Sequence, residues 1–157
     1  MSATISHPER AFAVRRASAL LCLRLGWSAL HEVPLPSGRR ADLLALRPDG
    51  GFAIIEVKSG PRDFLTDAKW GEYRAFCDAL FFAVDADFPR EMLPEDAGLI
   101  VADDVQAEIL REAPVHGLAA ARRKALLHRF AMLAADRLTA REDPVGVAAL
   151  RAALRVE

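Results

Sequence analysis

The chain has 157 residues, 52% of them hydrophobic, and a formal net charge of −1. That length and apolar content support a single domain with a full core. The near-neutral charge excludes a general cationic coat for nucleic acid, so any DNA contact must use a local basic surface. No apolar stretch is long enough to span a bilayer and we read no secretion leader, so a cytoplasmic protein with no membrane partner is expected. Cys22 and Cys77 sit in apolar contexts without metal-ligand spacing. They are expected as buried thiols, in keeping with a reducing compartment.

Ser6-His7-Pro8-Glu9 opens a helix with an N-cap Ser, an early Pro and a Glu three residues after the cap. Phe12, Ala13, Ala17, Leu20, Leu21 and Leu25 form its expected apolar stripe, and Gly26 closes it. A first strand is expected over 27–33, ended by Pro34-Leu35-Pro36-Ser37-Gly38. Two strands follow, 39–46 and 52–58, joined by the turn residues Arg47-Pro48-Asp49-Gly50-Gly51. Both faces of these strands are apolar, so they should lie centrally, covered on both sides. Asp63 is expected to cap a helix reaching Phe76 or Cys77, followed by a buried strand over 79–84. A loop with room for one helical turn covers 85–97, and 98–102 is another short strand. The segment 106–111 fits either an edge strand or a helical turn. A long helix over 118–138, with Leu126, Leu127, Phe130, Leu133 and Leu138 inward, and a short one over 145–154 end the chain. This order predicts an α/β fold: a small mixed sheet with helices on both faces, in one domain with 118–157 as a helical extension.

The charges in the third strand carry the chemistry. Ile54-Ile55-Glu56-Val57-Lys58 is apolar apart from Glu56 and Lys58, which share a face because side chains alternate along a strand. A five-residue hairpin loop sets Leu46 opposite Phe52, Leu44 opposite Ile54 and Asp42 opposite Glu56. Two carboxylates then face each other ~5 Å apart at Cβ. Alone they repel; a divalent cation between them reverses the sign, with Lys58 one pleat along. The alternative is structural, since the same register puts Arg40 opposite Lys58 and allows a salt-bridged quartet. The chain holds eighteen Arg and only three Lys, so a Lys retained here suggests a need for a compact ammonium.

An αβββαβ order with Asp42 on the second strand and Glu56-Val57-Lys58 on the third resembles the PD-(D/E)XK nuclease superfamily, with its restriction-endonuclease-like core. A second set of stretches is more specific. Asp63-Phe64-Leu65-Thr66-Asp67-Ala68-Lys69-Trp70-Gly71-Glu72-Tyr73, then Phe76-Cys77-Asp78, 93–103, Ala113-Pro114-Val115-His116 and Arg122-Arg123-Lys124 look like the MmcB family of bacterial DNA-repair proteins. The resemblance implies a repair protein at the nucleoid, acting on damaged or branched DNA, alone or with a repair partner. It implies Mg²⁺ or Mn²⁺ held by Asp42, Glu56 and the Val57 carbonyl. Lys58 would orient or deprotonate the attacking water, or stabilise charge on phosphorus. A further acidic residue is often added in the superfamily, and Glu9 or Glu32 are the candidates here.

Outside the motif, Arg39 and Arg40 are candidate phosphate clamps. Lys69 and Tyr73, four apart on an expected helix, are candidates for contact with DNA, against a solvated Lys beside a packed Tyr. Arg122, Arg123, Lys124 and Arg129 form the best basic patch. Phe64, Trp70 and Phe76 are expected to pack on the sheet, and Asp78 to cap backbone groups. The leading expectation is a metal-dependent deoxyribonuclease. Its rivals are a nuclease-like module that holds DNA or a partner without cutting, and a protein-interaction domain whose charged quartet is structural.

Overall fold

The computed structural model describes residues 6–155. Helix α1 (His7–Arg24) starts on the full capping box, with Ser6 accepting from the Glu9 N–H and the Glu9 carboxylate accepting from the Ser6 N–H. The six strands β1 (Ser28–Pro34), β2 (Arg40–Leu46), β3 (Phe52–Val57), β4 (Ala79–Asp85), β5 (Gly98–Ala102) and β6 (Ala107–Arg111) form one sheet in chain order. β1, β2 and β3 are antiparallel neighbours, β3, β4 and β5 run parallel, and β6 returns antiparallel on the edge. The segment that fitted two conformations is therefore a strand, and the sheet is mixed and flanked by helices, as expected.

The β2–β3 hairpin has the expected register, with Leu46 opposite Phe52 and Leu44 opposite Ile54. Every residue of β3 is buried, which places it centrally. Val14, Ala17, Leu21 and Cys22 of α1 cover one sheet face, against Leu43, Ile55, Phe81 and Ile100. This corrects the expected helix stripe: the buried set is centred on Val14 and Ala17, while Phe12, Leu20 and Leu25 are exposed. On the other face Phe64 and Trp70 pack edge-on against Phe82, with centroids 5.5 and 5.3 Å away. Both cysteines are buried free thiols, pushed up to about 12 by burial.

The helix expected to begin at Asp63 is also corrected. Helix α2 (Pro61–Thr66) starts after Gly60 and stops early, and a 3-10 segment, Trp70–Phe76, follows it. At the break, Asp67 leaves helical geometry (φ −90, ψ 72) while its carboxylate bridges Arg39, just before β2, and Lys58, just after β3.

Asp78 is a clasp. Its buried carboxylate accepts from the Phe52 N–H at 2.7 Å and the Leu118 N–H at 2.8 Å, tying β3 to the end of this unit. Asp78→Ala strands both donors and is expected to cost about 3–5 kcal/mol in urea unfolding, with a smaller loss for Asp78→Asn. Equal stability of Asp78→Ala and parent would remove the clasp from the account.

The chain divides into two units, Met1–Leu118 and Ala119–Glu157. The second contains α3 (Ala120–Glu142) and α4 (Pro144–Ala153), the latter capped by Asp143 on the Gly146 N–H. In α3, Leu126 and Phe130 are buried, one turn apart, whereas Leu127 and Leu138, expected inward, are exposed. Among the described residues no helix is long and apolar enough to cross a membrane.

Candidate functional site

At the end of the β2–β3 ladder the backbone pairing stops and the two carboxylates replace it. The Asp42 N–H donates to Glu56 Oε1 at 3.1 Å, and the Val57 N–H donates to Asp42 Oδ2 at 2.8 Å. The strands therefore part at the position where the hairpin register brings Asp42 and Glu56 together. The Lys58 N–H bonds the Ala83 carbonyl on the β4 side. Val57, one residue earlier, turns its N–H to the β2 side, and its carbonyl shares that direction because both groups of a strand residue point the same way.

These residues line a cleft of about 1000 Å³ in the first unit, walled also by Pro8, Phe12 and Arg15 of α1. Burial raises both acids, and in Glu56 the facing Asp42 charge adds to it, pushing that carboxyl up to about 8. The Val57 N–H and Lys58 partly offset the rise in Asp42. Two desolvated acids that resist ionising together are short of positive charge.

Lys58, with its side chain only 5% exposed, supplies charge nearby but directs it elsewhere. Its Nζ donates to Asp67 Oδ2 at 2.8 Å, and Arg39 Nη2 donates to Asp67 Oδ1 at 2.7 Å. Arg39 also lies over the Tyr73 ring at 4.4 Å, and the buried Tyr73 hydroxyl donates to the Arg40 carbonyl at 3.1 Å. The salt-bridged quartet of Arg40, Asp42, Glu56 and Lys58, the structural alternative to a metal site, does not form. Arg40 reaches Glu32 at 3.5 Å, Arg15 reaches the same carboxylate at 3.1 Å, and Lys58 takes Asp67. Glu32 has left-handed backbone, φ 48, a conformation that costs a non-glycine residue about 1 kcal/mol or more and clusters at functional sites.

Asp67, within the family-like stretch 63–73, is a residue to which the sequence assigned no role. Burial would raise it, but the bonds from Lys58 and Arg39 outweigh burial and hold it below the usual carboxylate range. A lowered folded-state acid stabilises the fold above its unfolded range, and that stabilisation is lost as pH falls through the lowered value. Asp67→Asn is therefore expected to cost about 3 kcal/mol at pH 7, because it leaves the buried Lys58 without its counter-charge. The gap should narrow near pH 3. An equal gap at both pH values, measured by urea unfolding, would contradict this.

Asp42, Glu56, Val57, Lys58, Arg39, Arg40, Tyr73 and Glu32 thus share the cleft. Glu9 does not line it, because its carboxylate is engaged in the helix cap and Pro8, Ala11, Phe12 and Arg15 occupy the facing side of α1. Lys69 is exposed outside the cleft while Tyr73 is buried, so the two do not share a face; the 3-10 turn separates them. Arg122, Arg123 and Lys124 lie in the first turns of α3, in the second unit.

The donor set fits a hard divalent cation. It offers two carboxylates, each with one oxygen outside the cross-strand backbone bonds, and the Val57 carbonyl on the same side. Among the described residues no group of three or more His, Cys, Asp or Glu converges as a metal site. Mg²⁺ can be held through one or two protein carboxylates when substrate phosphates complete the shell.

No curated protein matches the chain. A solved structure does: SPO1766, a protein of unknown function from Silicibacter pomeroyi, with a TM-score of 0.83 and 43% identity, covering 87% of this chain and 94% of that one. A family model described as DNA repair protein MmcB-like matches residues 2–145. The chain therefore belongs to the MmcB-like family of DNA-repair proteins.

Proposed function

We propose that this repair protein is a deoxyribonuclease of the PD-(D/E)XK type, hydrolysing phosphodiester bonds with Mg²⁺ or Mn²⁺. The observation that carries the reading is the pair of a half-buried Asp42 and a buried Glu56, facing each other and cross-bonded to the parted strands. Asp42, Glu56 and the Val57 carbonyl would hold the cation. When bound there, the cation supplies the positive charge that both carboxylates lack and a Lewis acid for the phosphate. Lys58, fixed by Asp67, offers its remaining ammonium donors to the attacking water or to the charge gathering on the phosphate oxygens. Arg39 is braced by Asp67 and Tyr73 at the cleft wall, and Arg40 opposite Glu32 is more open, at 62% exposure. These two arginines are the nearest phosphate clamps, damaged or branched DNA being the substrate and the cytoplasm, at the nucleoid, the place of action.

A second reading is a nuclease-like module that holds DNA or a repair partner without cutting. The absence of a three-acid cluster among the described residues favours it. Incubating the protein with flapped, forked, single-stranded and duplex DNA in Mn²⁺ separates the two. Cleavage that chelator abolishes supports the nuclease; retarded but intact DNA in every case supports the module.

A further inference from the structure

The chain contains eleven aromatic side chains, eight Phe, two Trp and one Tyr. Ten are buried or half-buried, and Phe12 alone is exposed, at 60%. Its position is not random. Phe12 forms the ridge between the carboxylate cleft and an adjoining groove of about 380 Å³ lined by Arg15, Arg16, Leu20 and His31. The Arg15 guanidinium lies 5.8 Å from the ring centroid, and Arg15, Arg16 and Arg40 flank this rim. The core does not need the ring, since α1 packs through Val14, Ala17, Leu21 and Cys22.

We propose that Phe12 is a stacking platform for an unpaired nucleobase at the mouth of the cleft, so that the strand reaching Asp42 and Glu56 is single-stranded or splayed. This rests on the nuclease reading for the role of the two carboxylates. An open aromatic face beside guanidinium groups suits nucleic acid, with the ring taking the base and the cations its phosphates. Inside a duplex the two faces of a base are covered by its neighbours, so Phe12 can stack only on a base that has left the helix.

The test is fluorescence anisotropy at low salt, in EDTA so that nothing is cut, with single-stranded, forked and blunt duplex DNA of matched length. The parent is compared with Phe12→Ala and Phe12→Trp. Phe12 is exposed on a helix, and Ala is the strongest helix former, so both variants should fold. The parent should prefer the single-stranded and forked DNA. Phe12→Ala should weaken those two about tenfold, the loss expected for one base–aromatic stack, and leave duplex binding unchanged. Phe12→Trp should restore the affinity. Equal binding by parent and Phe12→Ala, an equal loss on all three DNAs, or no binding by the parent would overturn the platform. Unchanged DNA affinity together with a parent dimer that Phe12→Ala disperses in sedimentation would reassign the surface to a protein contact. Stacking through Phe12 without cleavage in Mn²⁺ would keep the platform and remove the nuclease. Cleavage of duplex that is indifferent to Phe12 would do the reverse.

Discussion

Replacing Lys58 with Ala is expected to lower DNA cleavage in Mg²⁺ or Mn²⁺ by about a thousandfold while leaving the protein folded. The size follows from removing a single preorganised positive donor next to a phosphate in a buried site. Folding survives because the partner left behind is not orphaned: Asp67 keeps its 2.7 Å bond to Arg39. Lys58→Arg should not rescue the activity, since a planar guanidinium cannot occupy the place of a compact ammonium held on Asp67. The measurement is initial cleavage rate beside a thermal melt. A folded Lys58→Ala protein that cuts at the parental rate would remove Lys58 from the mechanism.

Glu56→Gln is expected to stabilise the metal-free protein at alkaline pH, against the usual effect of changing a buried residue. Burial and the facing Asp42 raise the Glu56 carboxyl to about 8. Between its unfolded range and that value the folded state binds the extra proton, so stability falls as pH rises through this window. Above it the parent carries two charged acids and the Gln variant only one. The Gln amide oxygen can still accept from the Asp42 N–H, so the strand-end bond is kept. In EDTA at pH 8.5 the variant should be more stable by roughly 2–4 kcal/mol, which is about 5–10 °C in melting temperature for a chain of this size. At pH 5 the two should melt together. Saturating Mn²⁺ should stabilise the parent and not the variant, narrowing or reversing the order. A variant that is less stable than the parent at pH 8.5 in EDTA would contradict the repulsion on which the site is built.

The parts of this site that were legible in the sequence are those set by short-range geometry. Five turn residues between two apolar runs determine the hairpin register, and that register, continued one pair past Leu43 and Ile55, brings Asp42 to Glu56. Strand alternation likewise puts Glu56 and Lys58 on one face, and the element order follows from turn chemistry and apolar runs. What could not be read are choices made by tertiary contacts. Arg40 and Arg39 look equivalent in sequence, yet Arg39 turns to Asp67 and Tyr73 while Arg40 turns to Glu32. Asp67 lies in a segment with helical pattern, and the helix ends at that residue, where its carboxylate pairs with Lys58 and Arg39 across the fold. The stripe of α1 was misplaced for a related reason. Ala17 and Leu21 are covered as expected, but Phe12 and Leu20 fit a helical period as well as Val14 does, and only the sheet decides which of them is covered. Glu9 shows the same ambiguity, as one carboxylate suits both a helix cap and a catalytic role, and the cap claims it.

The most direct test of the central claim is calorimetric titration of the chelator-treated protein with Mn²⁺, in two buffers of different ionisation enthalpy, with Asp42→Ala alongside. Paired carboxylates that form a metal site predict a single binding event in the parent, with proton release near pH 7 as Glu56 gives up its proton, and no binding in Asp42→Ala. No binding heat in the parent at millimolar Mn²⁺, both with and without a DNA oligonucleotide to complete the shell, would contradict it.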